Sequence, residues 1–198
     1  MKLSTIQFRF MVDVNALAYD PRDHFDFAYI DEGWQRMQNR LAKGEIKEVA
    51  LAAHAIGDFY AHSLYANCIP LGNGGELPLY DPSHPPDPSR FVYDFSKLPL
   101  PGCSGNPVDA ASLWKGRLIS GQWWRWYTTY PDELDSDAEL APRRCLSDHD
   151  AVAVDSNTAQ DTMRLYATVR EYKRQYDLRV DAAVRHLRQE AHNWVANR

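Results

Sequence analysis

The segment HAIGDFYAHS contains three side chains that can bind a metal ion, His54, Asp58 and His62, at intervals of four residues. Residues four apart on an α-helix lie on the same face, so the three side chains would line one cavity over about 12 Å of helix. Two neighbouring members can bind one ion, as the histidines of H-E-x-x-H do, and the third suits a second ion. The spacing therefore predicts a site for two metal ions, although a helix that binds no metal can carry the same pattern.

The helix that would carry these residues is apolar on most sides. Ala52, Ile56, Phe59 and Tyr60 surround the polar positions, and a helix of this kind is expected to be buried. A buried aspartate beside two histidines needs polar partners, and a shared metal ion satisfies all three. Zinc lowers the pKa of a water molecule toward neutrality and so prepares a nucleophile for an ester or phosphodiester. We expect Asp58 to orient or deprotonate that water.

A resemblance to a known family begins at this motif. LAAHAIGDFYAHSLYA resembles the central motif of the zinc-dependent phospholipase C superfamily, which includes fungal single-strand nucleases, and most closely that of its HET-C (heterokaryon incompatibility) branch. Upstream, YDPRDHFDF resembles the segment that supplies a further ligand histidine in that branch. The resemblance implies one zinc ion held by His24, His54 and Asp58, with Asp13 as a fourth ligand, and a second held by His62. From the residues alone, His24 could equally be an exposed turn residue.

The remaining ligands of the second ion stay open. HET-C relatives tend to have a glutamate five residues past the last motif histidine, where this chain has Asn67. His186 and Glu190 share a helix face four residues apart, so they could complete the second site with His62 or form an exposed pair. His149 is the other candidate.

The family's third zinc ion uses the amino group of an N-terminal tryptophan and a nearby histidine. This sequence begins with Met1 and has no histidine before His24. We therefore expect two zinc ions and no third.

Length, charge and cysteine content narrow the class of protein. The 198 residues predict a single helical metal-binding domain over 1–198, and a net charge of −5 does not suit duplex nucleic acid. The three cysteines have no C-x-x-C spacing, which leaves a Cys68 to Cys103 disulfide open. With no signal peptide or membrane span visible, we expect a cytoplasmic protein by default, with secretion or delivery as an effector as alternatives. The oligomeric state is left open.

The elements that must position the ligands are mainly α-helical. Apolar alternation over 6–14 predicts an extended segment, and helices are predicted over about 31–43, ending at Gly44, and from about 46 onward. Nine of the twelve prolines and five of the ten glycines lie between residues 70 and 107, which predicts a long loop over about 68–109. Apolar residues at steps of three and four then predict one long C-terminal helix, or two in succession, from near Thr158. The expected fold is mainly α-helical, and the resemblance implies a multi-helical domain like that of the zinc-dependent phospholipases C.

An aromatic cluster, Trp123, Trp124 and Trp126, could bind substrate. Such rings could seat an acyl chain at a membrane interface or stack on nucleobases, whereas a cluster of this kind also occurs in protein cores.

The motifs together predict a zinc-dependent, phospholipase C-like hydrolase of phospholipids or other phosphodiesters, in transient contact with a membrane surface. The alternatives are a HET-C-like interaction or toxin-associated module that binds metal without turnover, and a helical domain without metal.

Overall fold

We describe the computed structural model of the chain over residues 20–92, 118–121, 149–154 and 168–196. Within these ranges 67% of the residues are helical and none forms a strand, so the predicted mainly α character is confirmed there. The α-helices of these ranges are α1 (Ile30–Lys43), α2 (Ile46–His62), α3 (Tyr65–Cys68), α4 (His149–Val152) and α5 (Val169–Ala196), and the 3-10 turns are Pro21–Asp23, Asp26–Ala28 and Pro88–Arg90. The predicted extended segment at 6–14 lies outside the described residues.

Helix α1 confirms the predicted helix and its end. Ile30, Trp34 and Met37 are buried on one face, at the spacing of an amphipathic helix. Gly44 ends the helix with φ of 70°, a left-handed conformation that glycine adopts without steric cost. The short connection to α2 brings the two helices into contact.

Helix α2 contacts both α1 and α5, and its apolar side forms the centre of the core. Ala52, Ile56 and Phe59 are almost completely buried. Phe59 contacts the rings of Phe25, Trp34, Tyr60, Tyr65 and Tyr80, with centroid distances between 4.8 and 5.4 Å. Aromatic side chains contributed by separate elements therefore fix the position of the helix that carries the predicted ligands.

The proline-rich loop contributes to this core. Its described part, residues 70–92, contains no α-helix, but Leu77 and Tyr80 are buried, and Tyr80 stacks on Trp34 at 5.1 Å. Cys68, at the start of the loop, is a buried free thiol, so the disulfide that the sequence left open is not formed at this residue. The rest of the predicted loop, to residue 109, lies outside the described residues.

Helix α5 is the predicted long C-terminal helix. It buries Tyr172, Arg179, Ala182 and His186, which follow one another at steps of seven, three and four residues and so lie along one narrow face. The predicted start near Thr158 lies outside the described residues. None of the helices in the described ranges is long and apolar enough to cross a membrane.

Ion pairs hold the segment that leads to His24 against the first two helices. Arg36 of α1 pairs with Asp20, and Arg40 lies 2.9 Å from Asp23 and 3.2 Å from Glu48 of α2. Pairs at the surface contribute little singly, but a connected set restrains the segments that it joins. This network therefore helps to place the start of the 20–28 segment beside the ligand-bearing helix.

Candidate metal centre

Helix α2 presents the three polar residues of the motif along one side. His54, Asp58 and His62 all lie within its unbroken span, as their spacing predicts. Asp58 and His62 are 6% and 7% exposed, and His54 is half-buried. Buried polar side chains on an apolar helix must be satisfied by other polar groups, and here those groups come from two distant parts of the chain, the 24–26 segment and His149.

The first group consists of His24, His54 and Asp58, whose ligand atoms converge on one point. Asp58 Oδ2 lies 2.8 Å from His24 Nδ1 and 2.9 Å from His54 Nε2, and the two nitrogens are 3.4 Å apart. Tetrahedral zinc, with bonds of about 2.0 to 2.1 Å, separates its ligand atoms by about 3.3 Å. An ion would therefore need only a small opening of the group. Two imidazoles and a carboxylate also match the three-ligand set of many catalytic zinc sites.

The charge of this group favours a bound cation. Burial raises the pKa of Asp58, but the charge of His62 and the hydrogen bonds from His24 and His54 outweigh it and hold that pKa well below its usual value of 3.8. Burial lowers the pKa of His24. The hydrogen bond to Asp58 and the charges of Asp58 and Asp26 raise this pKa by more, so that it lies above its usual value of 6.5. An ionised carboxylate in this pocket must be neutralised either by protons on the histidines or by a metal ion.

The segment from His24 to Ala28 has an unusual backbone. Phe25, Phe27 and Ala28 have φ values of 57°, 55° and 56°, in the left-handed region that residues other than glycine rarely adopt. Strained conformations of this kind persist only where surrounding contacts hold them, and they concentrate at functional sites. Here the backbone turns so that both His24 and Asp26 are buried beside α2, at 6% and 2% exposure.

The second group consists of Asp26, His62 and His149, whose ligand atoms lie within 4.8 Å of one another. His62 Nδ1 is 3.7 Å from Asp26 Oδ1, and the His62 and His149 rings meet edge to face at 4.3 Å. His62 Nδ1 also lies 3.1 Å from the carbonyl oxygen of His24. When Nδ1 donates a hydrogen bond to that carbonyl, the lone pair on Nε2 points the other way and could bind a metal, an arrangement common among metal-binding histidines.

Asp58 lies between the two groups. Its Oδ2 belongs to the first group, and its Oδ1 lies 4.0 Å from His62 Nε2. A carboxylate with one oxygen toward each group can bridge two ions, which is how many binuclear hydrolytic sites are built. The described residues thus contain two His/Asp groups that could hold a metal ion, joined by one aspartate.

His186 and Glu190, the pair predicted as ligands for the second ion, lie elsewhere. His186 is buried against Trp34, its Nδ1 is 3.0 Å from Tyr60 Oη, and its Nε2 is 3.7 Å from Glu190 Oε1. The two do face each other on α5, as their spacing predicts, but the structure brings Asp26 and His149 to His62 in their place.

Of the other candidate positions, only Asn67 lies within the described residues. It accepts a hydrogen bond of 2.7 Å at Oδ1 from the guanidinium of Arg179 and belongs to neither metal group. The remaining candidates lie outside the described residues: Asp13, Trp123, Trp124 and Trp126.

Asp26 is the one member of the two groups that sequence reasoning missed. It stands two residues after His24 within the DHFDF string that carries the resemblance. That closeness was the available signal, but residues two apart on a helix point to nearly opposite sides, so the spacing alone did not assign Asp26 to the site.

Comparison with protein-family models, curated proteins and solved structures finds no match for this chain. The resemblance to the phospholipase C superfamily therefore rests on the two motifs, and the case for a metal centre rests on the geometry of the described residues.

Proposed function

We propose that the protein is a zinc-dependent hydrolase of phosphodiester bonds, similar to the phospholipases C, in which each of the two groups would hold one ion and Asp58 would face both. The observation that carries this proposal is the pair of three-residue groups, His24/His54/Asp58 and Asp26/His62/His149, on either side of one carboxylate. Imidazole and carboxylate ligands suit zinc, and paired divalent ions are typical of phosphodiester hydrolysis. Zinc in such a site acidifies a water molecule and polarises a phosphoryl oxygen.

The chain's own residues would then have distinct roles. His24, His54, His62 and His149 supply neutral nitrogen ligands, and the two aspartates supply the negative charge. The low pKa of Asp58 makes it a weak proton acceptor. Of the two roles expected for Asp58 from the sequence, this low pKa supports orienting the attacking water rather than removing a proton from it. A phospholipid or another phosphodiester remains the proposed substrate class, with transient contact at a membrane surface where the substrate is a lipid.

Zinc content tests the foundation of this proposal. We expect about two zinc ions per chain by elemental mass spectrometry of the purified, zinc-loaded protein. His54→Ala should lose the ion of the first group, because it removes one of three ligands. His192→Ala, which removes an exposed histidine of α5, is the matched control and should retain both ions. A wild-type protein that binds no zinc under these conditions would refute the proposal.

Turnover is tested separately with p-nitrophenyl phosphorylcholine, phosphatidylcholine vesicles and single-stranded DNA. Hydrolysis of any of these that disappears in His62→Ala, while His192→Ala remains active, supports the hydrolase. The substrate that is cleaved distinguishes a lipid from a nucleic acid.

The second candidate function is a HET-C-like interaction or toxin-associated module that binds metal without turnover. One observation favours it: Asn67 replaces the glutamate of HET-C relatives and is engaged by Arg179 at 2.7 Å, so this position supplies no anionic ligand. A protein that binds two zinc ions but hydrolyses none of the three substrates would support this candidate over the hydrolase.

A further inference from the structure

The segment Ile119–Gly121 touches all three parts of the chain that supply the second metal group. Its backbone pairs with the end of α2, where Ser120 forms an antiparallel bridge with Ser63 and the Ile119 carbonyl accepts a hydrogen bond of 2.9 Å from Leu64 N–H. Ser63 directly follows His62. All three residues of the segment are buried, so these contacts are shielded from water.

The same segment holds the strained loop that carries His24 and Asp26. The Ser120 hydroxyl donates to the Phe25 carbonyl and accepts from Ala28 N–H at 2.9 Å, and the Gly121 carbonyl accepts from Phe27 N–H at 2.8 Å. These bonded residues, Phe25, Phe27 and Ala28, are the residues of this loop that have left-handed φ values. Residues with side chains rarely adopt left-handed φ values. The hydrogen bonds with Ser120 and Gly121 therefore account for this backbone conformation at the three residues.

Gly121 also sets the distance to His149. A Cβ atom at position 121 would lie 2.6 Å from His149 Cα, 2.9 Å from its backbone nitrogen and 2.5 Å from Val152 Cγ2. The first two contacts are with backbone, which cannot rotate away as a flexible side chain can. Any residue larger than glycine would therefore displace α4, and His149 with it, from the ring of His62.

We propose that Ser120 and Gly121 are positioning residues of the second metal group: they hold Asp26, His62 and His149 together, and glycine at 121 is required for His149 to reach its place. This inference rests on the proposed function in that it assigns the group to a metal ion. It predicts that Gly121→Ala impairs the second ion selectively, because the added Cβ would clash with His149 and Val152 of α4, a helix that carries no ligand of the first group.

The experiment compares Gly121→Ala with Gly57→Ala in the whole 198-residue chain. Gly57 lies on α2 between the ligands, and a Cβ there would meet nothing within 4 Å, so it is a matched control for the same chemical change. We expect zinc titration to give two ions for the wild type and Gly57→Ala and one for Gly121→Ala. Ser120→Ala removes the hydrogen bonds that hold the backbone on both sides of Asp26. It should keep two sites but weaken the second about 10- to 100-fold, the range typical when a group that orients metal ligands is lost.

A metal-independent readout separates the two levels of the proposal. In metal-free protein labelled at histidine, the 4.3 Å approach of the His62 and His149 rings should give a nuclear Overhauser effect that is present in the wild type and Gly57→Ala and absent in Gly121→Ala. If the wild type gives this signal but binds no zinc, and Gly121→Ala lacks the signal, the positioning role is supported and the metal assignment is refuted. A folded Gly121→Ala that retains the signal, or binds two ions with wild-type affinity, would overturn the inference.

Two further outcomes are decisive. Loss of both ions from a folded Gly121→Ala would show that the effect is not selective and would also overturn it. If Gly121→Ala does not fold, Ser120→Ala decides, and unchanged affinity for the second ion in that variant would overturn the inference.

Discussion

Arg179 of α5 should stabilise the end of the ligand-bearing helix, and its replacement by methionine tests this. Arg179 is 2% exposed, and its guanidinium donates to the carbonyl oxygens of Tyr60 at 3.1 Å and Ala61 at 2.6 Å, as well as to Asn67 Oδ1 at 2.7 Å. The two carbonyls lie in the last turn of α2, where no further helical N–H can reach them. Arg179→Met keeps an apolar stem of similar length but leaves these acceptors without this donor.

The magnitude follows from the loss of a charged donor. A hydrogen bond from a charged group contributes about 1.5 to 3 kcal/mol, but the Ala61 carbonyl keeps the Val154 N–H at 2.9 Å and Asn67 is half-buried. Removing a buried charge also recovers part of the sum, because its desolvation is no longer required. We therefore expect Arg179→Met to lower the free energy of unfolding by about 3 kcal/mol. For a chain of this length that corresponds to a fall in Tm of about 6 to 12 °C.

Urea denaturation followed by circular dichroism measures this change. Arg188→Met, at an exposed position of the same helix, is the matched control and should lie within about 0.5 kcal/mol of the wild type. Arg179→Lys keeps the charge but not the fork of donors, so it should fall between the two. A loss of less than about 1 kcal/mol in Arg179→Met, with an unchanged m-value, would refute the assignment of Arg179 as the cap of α2.

Three further predictions follow from the same contacts. Zinc affinity should fall as the pH is lowered from about 8 to 5.5, because protons compete for His24, whose pKa lies above 6.5, while Asp58 stays ionised; calorimetric titration that shows a pH-independent affinity would contradict this. Burial raises the pKa of the Cys68 thiol to about 12, so iodoacetamide at pH near 8 should modify this residue only on unfolding, which peptide mapping by mass spectrometry would detect. Phe59→Ala should destabilise the fold by about 3 to 5 kcal/mol, because its ring is fully buried among other aromatic side chains; a urea midpoint close to that of the wild type would count against the described core.

The helices and the first ligands could be predicted from the sequence because they depend on local periodicity. Four-residue spacing on an apolar helix was enough to place His54, Asp58 and His62 on one side of α2. Gly44 likewise marked the end of α1, because glycine tolerates the left-handed conformation in which many helices end. His24 was reached only through the resemblance, since nothing in its immediate neighbours distinguishes a ligand from an exposed turn residue.

The second group depended on the tertiary structure. Spacing on α5 made His186 and Glu190 plausible ligands, and they do face each other, but α5 places His186 against Trp34 and Tyr60. The periodicity of a sequence indicates which residues share one face of a helix. It does not indicate which other element that face will contact.

Asp26 and His149 reach His62 for a reason that no local pattern contains. Asp26 is turned inward by left-handed backbone at its neighbours, and that backbone is held by hydrogen bonds from Ser120 and Gly121, far away in the sequence. His149 is admitted because Gly121 has no side chain. The sequence alone thus determined a helix with a stripe of side chains that could bind a metal ion. Only the tertiary structure decided which distant residues complete it, because backbone strain and close approach between segments depend on contacts made across the whole fold.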